Sequence, residues 1–91
     1  MLQASDARIP AEYEEEHIEG ALNIPSEVLR RKFSELDQSK EYITYCVNDA
    51  RGMVAAFLLK NHGFKAKCLR GGVSSWMGPV VTGSDGVHMP A

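Results

Sequence analysis

The chain has 91 residues, of which 44% are hydrophobic and 24% charged, and its net charge is −2. This length suits one domain and leaves no room for a second core. The acidic balance gives no basic face for nucleic acid, and no apolar run approaches the roughly 18 residues of a membrane span. No signal-peptide pattern opens the chain, so Cys46 and Cys68 are expected to be reduced thiols in a cytoplasmic protein.

Strand and helix patterns alternate along the chain. The expected strands are 2–6, 21–24, 42–46 and 65–69, and the expected helices are 11–16, 26–33 and 51–62. Pro10 suits the start of the first helix, and Ser26 can cap the second. One short helical turn is expected over 73–77, and the Gly-, Ser- and Pro-rich segment 80–91 is expected to be a flexible tail behind a domain of residues 1–79. This alternation predicts an α/β fold, an open parallel sheet flanked by helices on both faces.

The most informative segment is Cys46-Val-Asn-Asp-Ala-Arg51, between an expected strand and an expected helix. A thiol in this position faces unpaired backbone N–H groups and the positive end of the helix dipole. Such helix starts bind anions, and a cysteine there tends to be a reactive thiolate. The helix that follows is apolar nearly all round, which predicts that it is buried at the centre of the fold. The loop therefore indicates an anion site with a nucleophile at its floor.

The order of these residues resembles the rhodanese family. The segments that carry the resemblance are Asp6-Ala-Arg8, Glu12-Tyr13, His17-Ile-Glu-Gly-Ala-Leu-Asn-Ile-Pro25, Tyr45-Cys46 with Arg51, and Leu69-Arg-Gly-Gly72 with Trp76. The resemblance implies a rhodanese-like sheet and a sulfurtransferase that moves sulfane sulfur from a donor such as thiosulfate to cyanide or a thiol. Cys46 would be the catalytic residue that carries the persulfide. The anion-binding loop around it would be Val47, Asn48, Asp49, Ala50 and Arg51.

The loop length separates this reading from a phosphatase or arsenate reductase. Phosphatases that resemble this fold need one more residue between cysteine and arginine, to widen the cradle for a tetrahedral phosphate. Four residues lie between Cys46 and Arg51, which favours sulfur over phosphate.

Three features depart from the family pattern. Asp49 stands where the family has glycine, so its carboxylate could repel thiosulfate and its backbone could need a positive φ. Gly52 replaces a serine or threonine whose hydroxyl could donate to the persulfide. The strand and helix that usually precede the Asp-x-Arg segment are apparently missing. These departures support an alternative function, a catalytically weak regulatory or binding module of a larger protein.

The remaining candidates are interpreted as structural. The resemblance places His17 in the loop before strand 21–24, and Asp6 and Arg8 are expected to pair. His62 and His88 lack metal-ligand spacing, so no metal site or cofactor is expected. The expected partners are small-molecule or protein sulfur donors and acceptors, and a fused domain in the full-length protein.

Overall fold

The computed structural model of the chain describes residues 2–47, 49–83 and 87–88. The strands in this part are β1 Leu2–Asp6, β2 His17–Ile18, β3 Leu22–Asn23, β4 Glu41–Tyr45, β5 Lys65–Cys68, β6 Val80–Val81 and β7 Val87–His88. The α-helices are α1 Pro10–Glu15, α2 Ala50–Asn61 and α3 Gly72–Ser75. None of the described helices is long and apolar enough to cross a membrane.

The main sheet has the strand order β5-β4-β1-β3-β7, and all its paired strands are parallel. The predicted α/β fold with an open parallel sheet is therefore confirmed. Strand β1, which leads into Asp6, lies in the middle of the sheet between β3 and β4. Within the described part of the chain β5 is an edge strand, since it pairs with β4 alone. Because parallel strands end at the same edge, the ends of β1 and β4 lie together.

Apolar side chains cover both faces of this sheet. On one face α2 packs its buried Ala55, Ala56 and Leu59 against a cluster that includes Ile24 and Tyr42. On the other face a smaller cluster contains Tyr13, Ile18, Ala21 and Tyr45, with Val73 packed against it. The two clusters confirm that the sheet has helices on both faces, although the second face is covered by shorter elements.

The expected pair of Asp6 and Arg8 lies at the end of β1 and is buried. Arg8 Nη2 is 2.7 Å from Asp6 Oδ2, and the Arg8 backbone N–H donates to Asp6 Oδ1 at 2.9 Å. Arg8 also donates to the Glu16 carbonyl, which joins β1 to the end of α1. His17 is fully buried, stacks on Tyr13 at a centroid distance of 3.6 Å and places Nδ1 2.8 Å from the Tyr13 carbonyl. These contacts give both groups structural roles.

The helix predicted over 26–33 is wrong. Two 3₁₀ turns, Leu29–Arg31 and Phe33–Glu35, occupy this region. Lys32 between them has φ −115° and ψ −1°, outside the helical geometry that would join them. The Ser26 hydroxyl contacts the Glu27 carboxylate instead of capping a helix. The apolar residues of this segment are spaced as in a helix, but the buried residue Leu29 belongs to a single 3₁₀ turn.

The segment predicted to be a flexible tail begins with a paired strand. Strand β6 pairs antiparallel with β2, and the Gly83 N–H donates to the Glu14 carbonyl. Strand β7 pairs with β3. Residues 84–86 and 89–91 of the segment lie outside the described residues.

The prediction that α2 is buried all round is also wrong. Its outer side carries Met53, Val54 and Phe57, which are 58%, 51% and 64% exposed. Gly52, Ala55, Ala56, Leu58 and Leu59 form the buried side. The sequence showed apolar residues on both sides of the helix, but only one side meets the sheet.

This asymmetry predicts different costs for truncating the two sides of α2. Leu59→Ala should lower the free energy of unfolding by about 2–4 kcal/mol, because it leaves a cavity in the larger cluster. Phe57→Ala should change it by less than about 1 kcal/mol, because most of the ring already contacts water. Urea denaturation of the two variants gives both values. Equal losses would show that Phe57 is covered in the folded protein.

Candidate active site

Cys46 lies directly after β4, and α2 begins four residues later at Ala50. This places the thiol at the carboxyl end of a central strand and before a helix N-terminus, as the sequence predicted. The residue is only 1% exposed. A thiol this deeply placed can be reached only by a narrow reacting group.

The backbone of the loop is held by α3. The Val73 N–H donates to the Cys46 carbonyl at 2.8 Å, and the Ser74 N–H donates to the Val47 carbonyl at 3.3 Å. In a trans peptide the N–H points opposite to the C=O, so the Val47 N–H faces away from α3. The predicted amide cradle also includes Asn48, which lies outside the described residues. The Gly71-Gly72 turn thus positions the loop through the helix that follows it.

Asp49 does not have the conformation expected for its position. Its φ of −108° and ψ of −25° are ordinary for an L-residue, so the expected positive φ is wrong. Its Oδ1 accepts a hydrogen bond from the Gly71 N–H at 2.6 Å. It is Gly71 that has the left-handed backbone, with φ 80°. The carboxylate therefore ties the loop to the turn that precedes α3.

Arg51, the last residue of the predicted anion loop, is bound to a carboxylate. Its Nη1 and Nη2 contact Glu12 Oε1 and Oε2 at 2.7 and 3.2 Å. The hydrogen bond from Arg51 is the main cause that holds the pKa of Glu12 below its usual value. The sequence indicates Glu12 only as part of the Glu12-Tyr13 segment, because a separation of 39 residues gives no sign of this contact. Glu12 is the residue at this site that sequence reasoning missed.

Gly52 lies where α2 approaches the sheet closely. A Cβ at this position would lie 3.0 Å from both Cys68 Sγ and Tyr45 Cα. The Gly52 carbonyl accepts the Thr44 hydroxyl hydrogen bond at 2.6 Å, which fixes the approach. A side chain at Gly52 would point at the sheet. A serine at this position would therefore have no open space for its side chain.

The second cysteine lies on the same side of the loop. Cys68 is free and half-buried, and with Asp49, Met53 and Arg70 it lines a cavity of about 260 Å³. Burial, followed by the charges of Asp49 and Cys46, raises the pKa of Cys68. It is less suited than a residue at a helix start to act as a thiolate.

A larger cavity of about 500 Å³ lies on the other face of the sheet, lined by Ile18, Ile43, Tyr45, Leu69 and Trp76 among others. Cys46 does not line this cavity, so the larger cavity and the cysteine loop lie in different parts of the molecule. Within the described residues, no cluster of three or more His, Cys, Asp or Glu side chains could hold a metal ion. We assign the candidate site to the Cys46 loop, because among the described residues it is the place where a buried cysteine directly precedes the start of a long helix.

The close approach at Gly52 predicts a packing penalty. Gly52→Ser should lower the free energy of unfolding by about 1–3 kcal/mol, because the added atoms overlap the Tyr45 backbone. Ala50→Ser, at the exposed start of the same helix, is the control. Cys68→Ala should recover part of the loss in the double variant, since one of the two contacts is removed. Urea melts in which Gly52→Ser is as stable as the parent would contradict the close packing.

The ion pair of Glu12 and Arg51 predicts a pH dependence of stability. Folding lowers the pKa of Glu12. The ion pair therefore stabilises the folded protein fully at a pH above the unfolded-state pKa of Glu12, about 4.3. This stabilisation is lost as the pH falls through the lower pKa that Glu12 has in the folded state. Both side chains are about one-third exposed, so Glu12→Gln should cost less than about 1 kcal/mol near pH 7. The difference between parent and variant should shrink below about pH 4.5, measured by urea unfolding across pH. The exposed Glu15→Gln is the matched control, and a difference that stays constant down to pH 3 would contradict the assignment.

Known proteins are similar to this chain in both sequence and fold. A family model for the rhodanese-like domain matches residues 2–78. A sulfurtransferase of Allochromatium vinosum is 32% identical over 72 residues, covering 78% of this chain and 67% of that protein. A probable molybdopterin-synthase adenylyltransferase of Porphyra purpurea is 38% identical over 73 residues, which is 78% of this chain but only 19% of that protein.

Among solved structures, a rhodanese-related protein of Thermoplasma volcanium superposes with a TM-score of 0.83. It is 31% identical and the match covers 88% of this chain and 83% of that one. The match to the family model extends from β1 through Gly78, which includes the Cys46 loop and the turn that anchors it. The chain belongs to the rhodanese-like domain family.

Proposed function

We propose that the protein is a sulfurtransferase that carries sulfane sulfur as a persulfide on Cys46. The observation that carries this proposal is the placement of a buried cysteine between β4 and α2, with the carbonyls of Cys46 and Val47 bonded to α3. Backbone N–H groups of such a loop, together with the helix dipole, stabilise a thiolate and an incoming anion. Relatives named as sulfurtransferases support the same chemistry.

The reaction divides into two displacements. The Cys46 thiolate attacks the outer sulfur of thiosulfate, the S–S bond breaks, and sulfite leaves with the electron pair. The persulfide then yields its outer sulfur to a nucleophile such as cyanide, which becomes thiocyanate, and the thiolate is restored. No oxidant or metal takes part in either displacement, and the loop amides would stabilise the charge in both.

The burial of Cys46 favours sulfur chemistry over phosphoryl transfer. A sulfane sulfur is a single terminal atom, and it can reach a thiol that is 1% exposed through a narrow opening. The loop has four residues between Cys46 and Arg51, one fewer than the loop expected for a tetrahedral phosphate.

A second candidate function is a regulatory or binding module with weak turnover. The ion pair of Arg51 and Glu12 favours this function, because the guanidinium of the loop is paired with a carboxylate and is less available to a substrate anion. The small share of the algal relative that the chain spans also supports a domain that works within a larger protein. In this case the persulfide would form slowly or not at all, while the domain would still fold.

The proposed function predicts a covalent adduct. Incubation with thiosulfate should add one sulfur atom to the intact mass, and cyanide should remove it with release of thiocyanate. Cys46→Ala should abolish the gain, whereas the matched control Cys68→Ala should retain it. Circular dichroism checks that both variants fold. A folded parent that gains no sulfur from thiosulfate or from a thiosulfonate would contradict the proposal and favour the binding module.

A further inference from the structure

The single basic residue of the Cys46 loop is already paired. Arg51 is the only lysine or arginine between positions 46 and 51, and both its terminal nitrogens contact Glu12. A two-point pair of this kind is stronger and better oriented than a single contact. An anion that enters the loop therefore meets a neutral pair instead of an unpaired guanidinium.

Glu12 is held in place from its own helix as well. Its Oε1 accepts a hydrogen bond from the Ile9 N–H at 3.3 Å, at the N-terminus of α1. Its lowered pKa keeps it ionised near neutral pH. The carboxylate is thus set against Arg51 before any ligand arrives, and the pairing does not depend on a side chain swinging in.

Other charged groups also act on this part of the site. The pKa of Arg51 is raised first by its hydrogen bond to Glu12, and the charges of Cys46 and Glu27 add to the effect. Arg8 is bound to Asp6, and Arg70 lines the cavity beside Asp49. Arg8 is therefore paired with a carboxylate, as Arg51 is, and Arg70 shares the lining of its cavity with Asp49.

We infer that Glu12 is a specificity-determining residue that selects sulfane donors of low charge over dianionic thiosulfate. This inference rests on the proposed function, since it names the class of donor that the same site prefers. With an arenethiosulfonate monoanion, the Cys46 thiolate attacks the outer sulfur, the S–S bond breaks and arenesulfinate leaves with the electron pair. The products are the Cys46 persulfide and one sulfinate. The two donors therefore differ in charge but react with Cys46 by the same displacement.

The Coulomb energy of a ligand in a given field scales with its charge. Glu12→Gln removes one negative charge and releases Arg51, so it should raise kcat/KM for thiosulfate by about three- to tenfold. For the monoanion the factor should be roughly the square root of that value. A purely positioning role for Glu12 predicts the opposite, because Arg51 would be misplaced and kcat/KM would fall for both donors.

The experiment compares kcat/KM for thiosulfate and benzenethiosulfonate in the parent, Glu12→Gln and the exposed control Glu15→Gln. The expected result is a thiosulfate-to-thiosulfonate ratio that rises about two- to threefold in Glu12→Gln and stays at the parent value in Glu15→Gln. Glu12→Asp, which keeps the charge, should stay near the parent ratio, and Glu12→Ala should behave like Glu12→Gln. An unchanged or lower ratio in Glu12→Gln and Glu12→Ala would overturn the inference.

A second measurement does not need sulfur transfer. Iodoacetate and iodoacetamide alkylate a thiolate by the same displacement but differ by one negative charge. Peptide mass mapping separates Cys46 from Cys68, and the iodoacetate-to-iodoacetamide rate ratio at Cys46 should rise about two- to threefold in Glu12→Gln. A ratio equal to that of the parent and of Glu15→Gln would overturn the inference even in an active enzyme. A raised ratio in a protein that forms no persulfide would support the charge filter and refute the proposed function alone.

Discussion

The site depends on the close approach of α2 to the end of β4 at Gly52. With no side chain at this position, the helix backbone lies against Tyr45 and Cys68, and the Thr44 hydroxyl bonds directly to the Gly52 carbonyl. This contact fixes how far the helix start lies from the strand end. The loop that carries Cys46 has to bridge that short gap, so its length and the burial of its thiol follow from the packing.

The loop gains its second support from the turn that precedes α3. Gly71 can adopt φ 80° because it has no Cβ, and this turn brings its N–H to the Asp49 carboxylate. The next residues donate to the carbonyls of Cys46 and Val47. Because the Cys46 carbonyl is bonded to α3, the Val47 N–H of the same peptide faces the opposite side. Two distant segments of sequence therefore build one backbone geometry.

The sequence predicted the sheet and the position of Cys46 well, because both depend on local patterns. Strand β4 and helix α2 were placed to within one residue at each end, and Cys46 between them followed directly. The helix expected over 26–33 failed, because spacing alone cannot distinguish one buried 3₁₀ turn from an amphipathic helix. The outer side of α2 was misjudged for a related reason, since composition does not show which apolar residues a partner covers. The contact of Arg51 with Glu12 was out of reach, because it joins elements that only the fold brings together.

The departures from the family pattern in the loop have structural explanations, and they need not mean that chemistry is lost. The Asp49 carboxylate is bound to a backbone N–H at Gly71, so its charge is directed at the turn. Glycine fits at position 52 because the Cys68 sulfur lies only 3.0 Å from where a Cβ would be. Each unusual residue thus has a partner elsewhere in the fold, and the pair has to be considered together. A comparison of the loop sequence alone would count two defects, whereas the structure contains two contacts that hold the Cys46 loop in place.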